Sequence, residues 1–381
     1  MVEDRGAEPR KDVNVRTAQL VQLLTELGPD IPEISRRLGQ FKESVRYRYK
    51  EKILNKGLAV QAMPDHEKLG LSRVMLLLDF AEPYREHAPA ILTAMSDLCY
   101  VVSFAKTLPL GQYSVAASVP TEFVGEFIAM FSQLKEMGLF TSVETFEFEW
   151  FRNAPMKAEF YDFDSGRWDF DWSERGSTDY QSANYSPSSP SRFDQVDLLI
   201  IKELQKDANK SLKEISDELG LNYKKLAWHY NTHVVGKRLL RGYRVIWMGT
   251  RYDYRIEKAL HRQHRYLMIE FLVRNVSNYE MMALRQKVNH LPFLWGEAAG
   301  KNYAAEFAFP VDHVVESLQY LEEALAGVRD RTQVLTVDQT NAIGFSIAYR
   351  LFDTKSRTWT FSRPELVSKF ENLLLQIKET R

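Results

Sequence analysis

The chain is poor in cysteine, in long apolar runs and in net charge, and each shortage narrows its chemistry. Cys99 is the sole cysteine among 381 residues, which excludes an intrachain disulfide and any metal centre built from paired thiolates. No apolar stretch approaches the roughly 20 residues a membrane-spanning helix needs. The first residues, MVEDRGAEPRKD, lack the apolar core of a secretion signal. A cytoplasmic protein with no membrane partner is expected. Fifty Lys and Arg against 51 Asp and Glu leave a formal charge of −1, so any nucleic-acid site must be a local basic patch. Glycine-rich phosphate loops, nucleophile elbows and metal-ligand clusters are missing as motifs. The expectation is therefore no enzyme, no cofactor and no metal. His261 and His264 form an H-x-x-H pair without nearby cysteine and read as surface residues.

What the chain does contain is a duplication. Residues 211–244 read SLKEISDELGLNYKKLAWHYNTHVVGKRLLRGYR. Ser211 and Glu214 have capping-box spacing, and Ile215 and Leu219 give a short helix its apolar face. Gly220 ends that helix where a left-handed residue is cheapest. Asn222 opens a second helix with Leu226, Tyr230 and Val234 on one side. An offset of 181 returns the pattern earlier in the chain: Asp30 matches Ser211, Glu33 matches Glu214, Gly39 matches Gly220, and Val45 and Tyr49 match Leu226 and Tyr230. Both copies read as a helix-turn-helix, each preceded by a further helix and followed by a short wing strand, near 58–61 and 242–247.

Both blocks are basic in a near-neutral chain. Eight cations face three anions between Pro32 and Ala62, and seven face three between Ser211 and Arg244. This is the electrostatic footprint of a double-stranded DNA partner. The candidate contacts are Lys42, Ser44, Arg46, Tyr47 and Lys50 in the first copy. In the second they are Tyr223, Lys224, Lys225, Trp228 and His229.

Beyond each helix-turn-helix the hydrophobic period changes. Strands are expected at 73–80, 100–106, 113–119 and 140–148, with helices at 84–98 and from Pro120 to Gly138. The second copy repeats them at 266–273, 293–299, 303–309 and 332–337, with helices at 277–289 and 310–325. The order βαββαβ predicts a split-βαβ, ferredoxin-like sandwich. Aromatic hairpins follow each copy, at 163–170 and 352–361, and are expected to pack on their own copy's sheet. The fold class is thus α+β, a tandem duplication of winged helix-turn-helix and ferredoxin-like domain. The expected units are 14–63, 68–172, a Ser-rich linker at 173–192, 193–250, 262–361 and a terminal helix at 364–381.

These residues carry a resemblance to the Lrp/AsnC family of prokaryotic transcription regulators, through FDQVDLLIIKEL at 193–204, the 211–244 block and SVRYRYK at 44–50. The resemblance implies a sequence-specific DNA-binding regulator. Such regulators pair through the sandwich domain, so two copies in one chain imply an intramolecular pseudo-dimer, with higher homo-oligomers open to it. The family's effector site uses a glycine turn, here Gly111 and Gly300. The acidic residue that follows in the family is absent, since Gln112 and Lys301 stand there, so strong tuning by amino acids is not expected. The same layout also occurs in tetrapyrrole decarboxylases of the siroheme type. That alternative implies a cavity lined by histidine and arginine, with His290 and His313 as candidates. A scaffold protein that has lost DNA contact is the third reading.

Overall fold

The computed structural model describes residues 7–172, 189–247 and 266–379. His261 and His264, and most of the 173–192 linker, lie outside them. No described helix is long and apolar enough to cross a membrane.

The first helix-turn-helix comprises α1 (Ala7–Leu27), α2 (Ile31–Leu38) and α3 (Lys42–Arg48). Asp30 caps α2 by accepting the Glu33 N–H, and Gly39 closes it at φ +62°. The second comprises α6 (Gln195–Lys206), α7 (Leu212–Leu219) and α8 (Tyr223–His229). Ser211 and Glu214 form the expected reciprocal capping box on α7, and Gly220 ends it at φ +62°. The wing strands β1 (Ala59–Pro64) and β9 (Leu240–Ile246) do not form separate hairpins. They pair with each other, antiparallel, with Gln61 opposite Arg244.

Each sandwich has the expected βαββαβ order. The first runs β2 (Leu71–Phe80), α4 (Ala88–Leu98), β3 (Val101–Leu108), β4 (Tyr113–Pro120), α5 (Val124–Glu136), β5 (Phe140–Phe148). The second runs β10 (Tyr266–Val273), α9 (Asn278–His290), β11 (Leu294–Ala299), β12 (Tyr303–Pro310), α10 (Val314–Leu325), β13 (Thr332–Val337). Pro120 and Pro310 end strands instead of opening helices. A 3₁₀ turn intervenes in each copy, at Thr121–Phe123 and Val311–His313.

The two sheets join edge to edge at both sides. β13 pairs with β3, and β6 (Trp150–Asn153), which continues β5 after Glu149, pairs with β11. The sheets therefore close around a shared interior, and this closure is the intramolecular pseudo-dimer. Arg152 on β6 locks one seam by ion-pairing with the buried Glu297 on β11.

The copies are crossed. The apolar face of α6, through Leu198, Ile201 and Leu204, belongs to the same hydrophobic cluster as the first sheet and α5. The face of α1, through Leu20, Val21 and Leu24, joins the second sheet's cluster. The aromatic hairpins cross as well, which corrects the expectation that each packs on its own sheet. Trp168, on β8 (Arg167–Trp168) paired with β7 (Tyr161–Asp162), meets Phe293 of the second copy at 5.3 Å between ring centres, and its Nε1 donates to Tyr266 at 3.0 Å. Trp359, on the short strand Thr358–Trp359, donates to the Leu69 carbonyl at 2.8 Å and packs on Tyr100 of the first copy. The terminal helix α11 (Arg363–Glu379) follows it onto α5, where Arg363 meets Glu126 at 3.0 Å. Every buried aromatic in these tails contributes about 1.5–3 kcal/mol, so each copy is completed by its twin.

Candidate functional site

Where the two sheets face each other their inner surfaces carry small side chains. Ser103 and Ala105 on β3, Ser114 and Ala116 on β4, Ala298 on β11 and Ala304 on β12 alternate with large residues that face the helices. Small residues on both faces cannot fill the roughly 10 Å between packed sheets. The result is a cavity of about 360 Å³, within the size range of small-molecule sites. One edge is covered by the β1–β9 ribbon and the segment 342–347.

Charged groups are set into this apolar frame, and they break the duplication. The strand registers place Arg73 opposite Ser118 and Met268 opposite Ala308, so Arg73 and Met268 are equivalent positions. By the same registers Glu270 answers Met75, Glu306 answers Ala116 and Ser114 answers Ala304. Each charge therefore exists in one copy only. Arg244 reaches in from β9 and His66 from the turn between β1 and β2.

The polar atoms here are under-satisfied. Arg73 lies 4.1 Å over the Phe151 ring and Arg244 lies 4.4 Å over Trp295. Arg244 donates one hydrogen bond to Asn153, at 3.2 Å. Among the described residues, the Nε atoms of both arginines, Nδ1 of His66 and Oε1 of Glu270 are buried without a hydrogen-bond partner. Ser114 Oγ donates to the other Glu270 oxygen at 2.7 Å. Native proteins leave few such groups unpaired, since each costs about 1–3 kcal/mol.

Burial governs the protonation states. It lowers both guanidinium pKa values to about 10, which still leaves them charged at neutral pH. It pushes His66 well below its ordinary value, aided by the charges of Arg73 and Arg241, so the imidazole is neutral. Burial, with the neighbouring Glu306 carboxylate, raises Glu270 to about 8, so its carboxyl keeps a proton at pH 7. Burial also raises Glu306, while Arg73 and Arg244 oppose that shift. The cavity thus presents two cations, the Glu306 carboxyl group beside them, a neutral imidazole and a protonated carboxyl. This suits an anionic ligand with apolar bulk.

The residues expected to touch DNA sit elsewhere. Lys42, Ser44, Arg46, Tyr47 and Lys50 are exposed on and just beyond α3, with Arg46 held to Glu43 at 2.7 Å. Tyr223, Lys224, Lys225 and Trp228 are exposed on α8. His229 is not on that surface. It is 5% exposed and its Nδ1 lies 2.9 Å from Asp197, which corrects its assignment as a DNA contact. Of the glycine turns, Gly111 has φ +76° and Gly300 packs so closely on Glu149 that a Cβ would lie 2.9 Å from its amide nitrogen. Neither lines the cavity. His290 and His313 lie outside the cavity too. His290 stacks on Tyr320, and His313 accepts from Trp172 Nε1 at 3.0 Å. Sequence reasoning missed His66, Arg73, Arg244, Glu270 and Glu306. A signal existed for the glutamates: each interrupts an apolar strand, in YLMIEFLV and YAAEFAFP.

The model of the winged helix-turn-helix DNA-binding family matches residues 193–232, so that part of the second copy is a winged helix-turn-helix. No curated protein matches the sequence. Among solved structures the chain is similar to the siroheme decarboxylase NirDL, at 9% identity and a TM-score of 0.50, covering 97% of this chain and 99% of that one. NirDL in complex with an iron-uroporphyrin III analogue gives 8% identity and a TM-score of 0.51, covering 90% and 96%. Escherichia coli AsnC covers 36% of this chain and 91% of its own, at 13% identity and a TM-score of 0.28. The tandem layout over nearly the whole chain is thus one that a solved enzyme also has, so missing motifs do not argue against an enzyme. The expectation of a chain without enzymatic activity, drawn from missing motifs, is withdrawn.

Proposed function

We propose that this protein is a decarboxylase acting on a carboxylate-rich tetrapyrrole of the siroheme type, with the substrate's acid side chains entering the cavity between the sheets. The observation that carries the reading is that Arg73 Nε, Arg244 Nε and His66 Nδ1 are buried with no partner among the described residues, in a cavity of mixed apolar and cationic character. The full-length likeness to siroheme decarboxylases supports it. In this reading the arginines bind carboxylates that are retained, where charge-assisted hydrogen bonds orient the macrocycle. The scissile carboxylate sits in the apolar part, because a tight ion pair there would stabilise the ground state against loss of CO2. The bond between the side-chain carbon and its carboxylate breaks, CO2 leaves, and the carbon takes a proton. Glu270 is the proposed donor, being protonated at neutral pH and held by Ser114. Water then reprotonates it.

Titration with iron uroporphyrin III, followed through the Soret band, tests the site. A saturable shift in the native protein, weakened at least tenfold by Arg73→Met or Arg244→Met, is expected. An unchanged spectrum, or native affinity in both variants, contradicts the assignment.

A second reading rests on a separate observation. Nine of the ten expected DNA contacts are solvent-facing on two helices, one of them within the matched DNA-binding unit. DNA binding as a transcription regulator would use these surfaces and leaves the cavity free for a ligand.

A further inference from the structure

The second helix-turn-helix contains a cluster that neither the cavity nor the DNA surface uses. His229, the last residue of α8, and His233, one turn later, both aim Nδ1 at the same buried carboxylate of Asp197. The contacts are 2.9 Å from His229 and 2.9 and 3.1 Å from His233 to the two Asp197 oxygens. Asp194, at the N-cap of α6, brings a second carboxylate to 3.6 Å from His229 Nδ1. All four ligand atoms lie within 4.8 Å of one another. We propose that these residues form a binding site for a zinc-class divalent cation, which ties the start of α6 to the end of the recognition helix.

Three points support it. First, the donor set of two imidazoles and two carboxylates matches borderline divalent ions of the first transition row. Second, the spacing fits. Zinc bonds of about 2.0–2.2 Å put tetrahedral ligand atoms roughly 3.3–3.6 Å apart, so a cation opens the 2.9 Å contacts by a few tenths of an ångström and draws the widest pair, up to 4.8 Å, together by about 1.3 Å. Third, the set is absent from the first copy, where the offset of 181 places Arg48 and Lys52 at the histidine positions. Matching the buried faces of α1 and α6 places Asn14 and Thr17 at the aspartates. The fold therefore forms without this cluster, and its four members have appeared together in one copy. Trp228 stands edge-on to both imidazoles, at 5.0 and 4.9 Å between ring centres, and closes one side.

Full-length protein stripped with a chelator and titrated with Co2+ decides the matter. The expected result is one equivalent bound with the intense visible bands of tetrahedral cobalt, partial quenching of tryptophan fluorescence, and displacement by Zn2+. His233→Gln should weaken binding at least 100-fold while circular dichroism shows an unchanged fold, since His233 lies at the cluster's partly exposed edge. His290→Gln should bind as the native protein does. Absence of cobalt bands in the native protein would overturn the proposal, as would bands that persist at full affinity in His233→Gln. The cluster would then be a hydrogen-bonded cap that holds two imidazoles on one carboxylate.

Discussion

Replacing Glu270 by glutamine should flatten the dependence of stability on pH. In the native cavity Glu270 keeps its proton up to about pH 8, against 4.5 for an ordinary glutamate. The cause is burial first, then the nearby Glu306 carboxylate. Between those values the unfolded chain releases a proton that the folded chain retains. The folded state therefore binds more protons, and stability falls as pH rises. The contribution is fully present below the unfolded value and is lost by the time pH passes the folded one. The slope is about 1.4 kcal/mol per pH unit for one such group. From about pH 5.5 to 7.5 Glu270 alone should therefore remove about 3 kcal/mol. A glutamine side chain at this position would keep the contact with Ser114 and cannot ionise. Urea unfolding at several pH values, comparing the native protein with Glu270→Gln, reads the difference directly, because titrating groups other than the adjacent Glu306 are common to both. The native curve should fall more steeply by that amount. Parallel curves would show that Glu270 ionises normally and would remove the proposed proton donor.

Three further outcomes follow from the packing and the surfaces. Trp359→Ala should cost about 3–5 kcal/mol, and amide hydrogen exchange should loosen around Tyr100 and Leu69 of the first copy, not in the second sheet onto which an uncrossed tail would fold. Gly28→Ala should destabilise by more than about 1 kcal/mol, because Gly28 sits at φ +68° and a Cβ would meet the Tyr243 ring at 2.5–2.7 Å, and thermal melting measures it. If the exposed recognition helices meet DNA, Lys224→Ala should weaken all sequences alike and reduce the salt slope by about one, whereas Arg46→Ala should cost about 1–3 kcal/mol on a preferred site only. Binding titrations at several salt concentrations separate the two.

The duplicated architecture was legible because local rules repeat. Asp30 and Ser211, each three residues before a glutamate, mark helix starts, and the glycines at 39 and 220 mark their ends. Alternating hydrophobicity placed most strands within a residue or two. The crossing of the copies was not legible. Periodicity says that Trp168 and Trp359 must be buried, but it cannot choose between two near-identical sheets, and the direction of the β6–β11 seam makes that choice. The cavity charges were hidden for a related reason. RVMLLLDF reads as a strand buried throughout, and only the closure of the two sheets turns the inner side of Arg73 into a site. His229 was misplaced because its anchor, Asp197, is 32 residues away in sequence.

The most direct test of the proposed function is product analysis by mass spectrometry after incubating the protein with siroheme. Stepwise loss of CO2 is expected, with each lost carboxylate replaced by hydrogen, and a marked slowing in Glu270→Gln and in the Arg73→Met, Arg244→Met double variant. Unchanged siroheme after prolonged incubation with a protein that is folded and binds it would contradict a decarboxylase, and turnover undiminished in those variants would place the chemistry outside this cavity.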